Sequence, residues 1–155
     1  SRPRPALVTS ALPTLTTTSL PSVIISDTSG LILLTKIGRL ELLRHLFSRC
    51  FITPVVAAEY GLALPEWVEV HSPVGRLPDE VVLRSVHAGE YSALVLALET
   101  PDSLLLLDDA PARHVAQQLH LPHTGTLGLL VLAKSRGLLA QVRPVLAELR
   151  AAGMW

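Results

Sequence analysis

Acidic residues in this chain fall where a folded polypeptide would gather them. Asp27 follows the short β-branched run Val23-Ile24-Ile25, and Asp108 and Asp109 follow the aliphatic run Leu104 to Leu107. Both runs have the composition of strands buried on both faces of a sheet. In a parallel α/β sheet the carboxyl ends of the strands border the crevice where ligands bind, so the two acid sites share one edge whatever the strand order. Glu90 stands at the start of a helical stretch opened by Gly89, and Glu59 lies near the end of a helix that follows the second strand. Crowded carboxylates raise one another's pKa values unless a cation sits between them. All-oxygen donors suit Mg²⁺ or Mn²⁺. Such ions neutralise a phosphoryl transition state and activate water, so the chemistry is phosphodiester hydrolysis.

Each acid also has an ordinary role open to it. Glu90 can complement a helix N-terminus, worth about 0.3–1 kcal/mol. Asp109 can cap the helix that begins near Ala110, worth about 1 kcal/mol. Asp27 can end a strand and start a turn with Thr28 and Ser29. Their coincidence on one edge is what favours a shared site.

The elements that must position these residues alternate. Val23 to Ser26 reads as a strand, with helices over 29–37 and 39–47 separated by Gly38. Phe51-Ile52-Thr53 reads as a second strand, and Pro54 starts a helix through about Tyr60 that Gly61 stops. Trp67 to Val70 is a third strand, the stretch from Gly89 to about Thr100 a helix, and Leu104 to Leu107 a fourth strand. A helix over 110–119, a strand over 120–124 and helices over 125–136 and 141–152 complete the domain. This alternation predicts a mainly parallel sheet of four or five strands, with Val23–Ser26 central and helices on both faces. The first 22 residues, with Arg2 and Arg4, four prolines and no acid, read as an N-terminal arm or extension outside a domain spanning residues 23–155.

Composition narrows the setting. The 155 residues suit one domain, and with 49% hydrophobic but only 4% aromatic residues the core must be built from Leu, Val, Ile and Ala. Lys and Arg number 13 against 13 Asp and Glu, so any hold on nucleic acid must come from a local patch. Arg39, Arg44, Arg49, Arg113, Lys134 and Arg136 could supply it, and solvated helix faces explain them as well. The single cysteine, Cys50, excludes an internal disulfide and reads as a small buried apolar residue. The histidines form no spaced metal motif, and no apolar run is long enough to span a membrane. These features point to a reducing, cytoplasmic setting.

The ordered motifs Ser26-Asp27-Thr28-Ser29, Glu59, Gly89-Glu90-Tyr91-Ser92-Ala93, Leu107-Asp108-Asp109-Ala110-Pro111-Ala112-Arg113 and Thr124-Gly125-Thr126-Leu127-Gly128 resemble a subfamily of PIN domains. Its members are often the toxin halves of VapC-type toxin–antitoxin pairs. The resemblance covers roughly Val23 to Met154 and implies a PIN-like three-layer sandwich. It also implies an endoribonuclease that cuts RNA with Mg²⁺ or Mn²⁺ held by three or four acids. Asp27 would be the first acid, Glu59 the second, Glu90 the third where many relatives have Asp, and Asp109 the fourth, with Asp108 auxiliary or alternate. Asp27, Glu90 and Asp109 would hold the metal. Ser29 and Thr126 would offer hydroxyls to a metal-bound water or a phosphate. Arg113 is a further substrate-binding candidate, and His114, in the same helix, could face a phosphate, though a surface or core histidine explains it as well. An antitoxin partner and a homodimer are implied too, and relatives often carry a further helix past the point that Trp155 reaches.

Paired acids late in the chain do not fit a receiver-type phosphorylation domain, whose acid pair comes first. Asp27-Thr28-Ser29 does not fit the Asp-x-Asp of a haloacid-dehalogenase phosphatase. The remaining rival is a catalytically silent PIN-like module that partners another protein, since fold resemblance alone does not establish function.

Overall fold

A computed structural model describes residues 19–81 and 85–154. Five parallel strands are built from the apolar runs: β1 Val23–Ser26, β2 Arg49–Ile52, β3 Val68–Val70, β4 Ser103–Leu106 and β5 His123–Thr124. They lie in the order β3-β2-β1-β4-β5, so β1 is the middle strand and is buried along its whole length. The register sets Ile24 beside Cys50 on one flank and Leu104 on the other, and Ser26 beside Leu106. The next residue of each central strand is therefore Asp27 and Leu107, with Asp108 one step beyond. The arm read at the N-terminus lies, up to residue 18, outside the described residues.

Strand periodicity sorts the core into two layers. Ile24, Ile52, Leu104 and Leu106 face one side, against Leu31 and Leu34 of α1 (Thr28–Lys36), Leu43 of α2 (Leu42–Leu46), Val56 of α3 (Pro54–Tyr60) and Leu129 of α6 (Thr126–Ser135). Val23, Ile25, Leu105 and Leu107 face the other, against Ala93 to Ala97 of α4 (Ala88–Glu99) and Val115 of α5 (Ala110–Gln118). The result is the three-layer α/β sandwich that alternation predicts. Behind α6 a further helix, α7 (Arg143–Ala151), packs Val145 and Leu149 on Leu130 and Ala133.

Several boundaries depart from the sequence reading. The helix expected over 39–47 forms only at Leu42–Leu46, because the Leu42 amide bonds to Arg39 O and the Leu43 amide to Leu40 O as turns. The strand expected over 120–124 shrinks to His123–Thr124, since His120 takes a left-handed φ of 58° that no strand accommodates. Pro54 and Gly61 do bracket α3: the Thr53 hydroxyl caps Val56 N at 3.1 Å, and Gly61 ends the helix with φ 73°.

Cys50 is buried and unpaired, and burial pushes its thiol up to about 12, so it packs as an apolar residue. Among the described residues, no helix is long and apolar enough to cross a membrane.

Gly30 is a sharp test of the packing between α1 and β4. A Cβ there would lie 2.6 Å from Leu106 Cδ2 and 2.9 Å from its Cγ, both in the fully buried core. Gly30→Ala is therefore expected to destabilise the fold by about 1–3 kcal/mol in urea denaturation. The gain of roughly 0.5–1 kcal/mol usual for a mid-helix glycine would contradict this packing.

Candidate metal centre at the carboxyl edge

Asp27 continues β1 into α1 and is wholly buried. It caps α1, its Oδ1 accepting the Gly30 amide at 2.8 Å, as the ordinary role of an acid there requires. Its Oδ2 has no hydrogen-bond partner. Burial pushes the carboxyl up to about 7; the Gly30 amide pulls it down, the charges of Asp108 and Glu90 raise it, and the Asp108 amide lowers it. These neighbours are the acids that the strand-end reasoning brings to one edge.

Glu90 lies in the first turn of α4 and accepts the His87 amide at 3.0 Å. Burial raises its pKa, and the charges of Asp109 and Glu59 add to the rise against the His87 amide. Asp109 caps α5 through the Ala112 amide at 3.3 Å, again the ordinary role. Asp108 turns the other way, with Oδ1 on the Thr126 amide at 2.7 Å and Oδ2 on the Thr126 hydroxyl at 2.5 Å. Glu59 takes the Thr28 hydroxyl at 2.5 Å and lies over Gly89, where a side chain would collide with its Oε1.

Glu90, Asp108 and Asp109 line one cavity of about 1070 Å³, together with Ser29, Arg113 and His123. Asp27 does not line it, being wholly buried, but feels the charges of Asp108 and Glu90. Glu59 does not line the cavity and joins the group through Thr28 and its charge on Glu90. Thr126, expected at the rim, is fully buried and spends its hydroxyl on Asp108. The cavity's other wall is apolar, with Ile32, Leu33, Leu127 and Val131.

Three of the six candidate basic-patch residues are engaged in ion pairs. Arg44 pairs with Glu41 at 2.6 Å, Arg49 with Glu69 at 2.5 Å and Arg39 with Glu148 at 4.0 Å, all near the surface. Arg113 is the member of that set that lines the acid cavity. Sequence reasoning gave no site role to His87 and His123, which both line the cavity. His123 is the more buried of the two. Its Nδ1 lies 2.9 Å from Leu121 O, and burial holds its pKa down. A second unforeseen cluster stacks His71 on Phe51 at 3.8 Å under Arg49, and Arg49 and His71 hold Glu69 down to about 2.

The donor set is hard and all-oxygen, and the orphaned Asp27 Oδ2 is the kind of buried acceptor that a divalent cation would satisfy. The chemistry fits; the placement fits less well. Among the described residues, no group of three or more His, Cys, Asp or Glu is arranged so that it could hold a metal ion. Each acid is turned instead toward its own amide or hydroxyl donor.

The class is set by a parallel α/β sandwich with a buried acid, Asp27, and two half-buried ones, Asp108 and Asp109, past the carboxyl ends of its central strands. Residues 23–155 match the PIN domain, and the chain belongs to that family. No curated protein and no solved structure matches it.

The raised Asp27 carboxyl gives stability a pH signature. Its pKa is about 7 in the fold against 3.8 ordinarily, so the folded chain binds this proton more tightly than the unfolded one. The resulting stabilisation is complete below about pH 4 and is lost as pH rises through 7, with an upper size on the order of 4 kcal/mol. Glu90 acts in the same sense and His123 in the opposite one, and both remain in Asp27→Asn. In EDTA, therefore, the melting temperature of the unaltered protein should fall more between pH 5 and pH 8 than that of Asp27→Asn. Equal falls would contradict the burial of an ionisable Asp27.

Proposed function

We propose that this PIN domain hydrolyses RNA phosphodiesters, with Mg²⁺ or Mn²⁺ held at the acid cavity, as the toxin halves that its motifs resemble do. The observation that carries the reading is Asp27: a buried carboxylate oxygen without a partner, beside two further acids. Nothing in a purely structural role calls for that arrangement, which costs stability at neutral pH. Asp27, Glu90 and Asp109 would hold the ion, with Asp108 or Glu59 completing the set. When bound, such an ion neutralises phosphoryl charge and makes water a better nucleophile.

The chain's own residues then have distinct tasks. Arg113 on the cavity wall offers a planar guanidinium to a phosphate. Ser29 offers a hydroxyl from the first turn of α1, at the cavity surface. Ile32, Leu33, Leu127 and Val131 give the cavity an apolar side beside these polar groups.

Side-chain placement taken by itself favours a second reading, because the acids as placed form no three-ligand group. On that reading the domain is a catalytically silent interaction module. Its contact surface would include Leu127 and Val131, each 40% exposed on one face of α6. An antitoxin-like protein or a second copy of the chain is the partner in either case, and a cytoplasmic setting accords with both.

Incubation of the purified protein with mixed RNAs separates the two. The nuclease reading expects cleavage with Mn²⁺, none in EDTA, and a loss of at least about 100-fold in Asp27→Asn with an unchanged circular dichroism spectrum. A folded protein that leaves every RNA intact with Mg²⁺ and Mn²⁺ would leave the interaction module standing.

A further inference from the structure

The cavity has a wall that its acids leave unused. β5 consists of His123 and Thr124 and leads through Gly125 into α6. His123 is only 3% exposed yet lines the cavity, so its imidazole meets that space by an edge. Its Nδ1 lies 2.9 Å from Leu121 O, and a carbonyl oxygen only accepts, so Nδ1 carries the ring proton. Nε2 is then the acceptor of a neutral ring. Among the described residues nothing bonds to it, and the fully buried side-chain atoms left without a partner are Asp27 Oδ2 and Arg39 Nε. Nε2 is therefore the nitrogen that opens on the cavity. Burial holds the His123 pKa down, the Leu121 carbonyl opposes this and the charge of Arg113 adds to it, which keeps the lone pair free at neutral pH.

Arg113 reaches the same wall from α5. Its Nη1 would lie 3.4 Å from a Cβ at Gly125, two residues past His123. Among the described residues it makes no ion pair, although Glu90, Asp108 and Asp109 line the same cavity. A guanidinium not spent on a carboxylate is shaped for a phosphate. The wall thus pairs a cationic donor with a neutral acceptor, and it suits an anion that has a hydroxyl donor close beside it. Every backbone phosphate of a polynucleotide is joined to a sugar, and ribose alone carries such a donor, the 2′-hydroxyl. Base N–H groups differ from one nucleotide to the next and stand farther from the phosphate.

We propose that His123 is the residue by which this cavity tells RNA from DNA: its Nε2 accepts the 2′-hydroxyl of a ribose whose phosphate Arg113 holds. This inference deepens the RNA reading above and rests on it. His123 takes no part in bond cleavage; it sets which sugar is retained.

Fluorescence anisotropy with a labelled single-stranded RNA and its 2′-fluoro counterpart, in EDTA at pH 8, tests this without metal or turnover. A 2′-fluoro sugar keeps the size and pucker of ribose and lacks the donor. The unaltered chain should bind RNA roughly 3–10-fold more tightly than 2′-fluoro RNA, the scale of one hydrogen bond. His123→Phe keeps a buried ring without the acceptor, and should bind the two alike by losing affinity for RNA only. Arg113→Gln should weaken both by the same factor and keep the preference. If His123→Phe fails to fold, His123→Asn, whose amide can still donate to Leu121 O, takes its place with the same expectation. A preference for RNA that survives the change at His123, or no preference in the unaltered chain, would overturn the inference. So would a loss that depends on base sequence, which would make His123 a reader of bases. Binding with the expected preference but no cleavage in Mn²⁺ would bring down the nuclease reading and leave this inference standing. A chain that binds neither oligonucleotide would bring down both.

Discussion

Asp27 has one carboxylate oxygen bonded to the Gly30 amide and the other without a hydrogen bond, though close enough to the Asp108 amide to feel it, in a position closed to solvent. Two further acids press on it electrostatically. An isolated buried charge is among the costliest things a fold can contain, and the usual escape is to keep the proton. Central placement of β1 makes that escape hard to avoid here, because the strand delivers Asp27 to the middle of the sheet edge with β2 and β4 on either side. The surroundings of the cavity follow from this constraint. Glycines at 30, 89 and 125 clear space for Asp27, Glu59 and Asp108, and threonines at 28 and 126 hold two of those acids by their hydroxyls.

The acids are caps and charge cluster at once. Asp27 and Asp109 each begin a helix in the way their sequence position suggests, yet the Asp27 carboxyl is itself raised and Asp109 adds to the rise at Glu90. The two roles do not compete, since a cap uses one oxygen and leaves the other. This dual use reconciles the two readings of the cavity. In the arrangement described, each acid rests on its own donor and no three converge. A cation that drew the free oxygens together would have to do so against repulsion it alone relieves.

Much of the architecture was legible from residue types. β-branched and leucine runs marked the central strands, Pro54 and Gly61 bracketed α3, and acids after two strand ends pointed to the shared edge. Register and helix face were not legible. Sequence could not say that Thr126 turns inward to Asp108, because that depends on β5 being only two residues long. Nor could it foresee that Glu59 reaches the acids through Thr28, which depends on α3 lying beside α1 across an unfilled Gly89. The pairing of one candidate basic-patch residue was hidden for a related reason. Arg49 meets Glu69 only through the β2–β3 pairing, which sets Phe51 opposite Glu69, and no local pattern announces that.

The central claim is that the buried, unpartnered oxygen of Asp27 is a cation ligand, and crystals grown with Mn²⁺ test it most directly by anomalous scattering. The account predicts a strong peak at coordination distance from Asp27 Oδ2, shared with at least one of Glu90, Asp108 and Asp109. Well-ordered crystals at millimolar Mn²⁺ with no peak at the carboxyl edge, and Asp27 still tied only to the Gly30 amide, would contradict it.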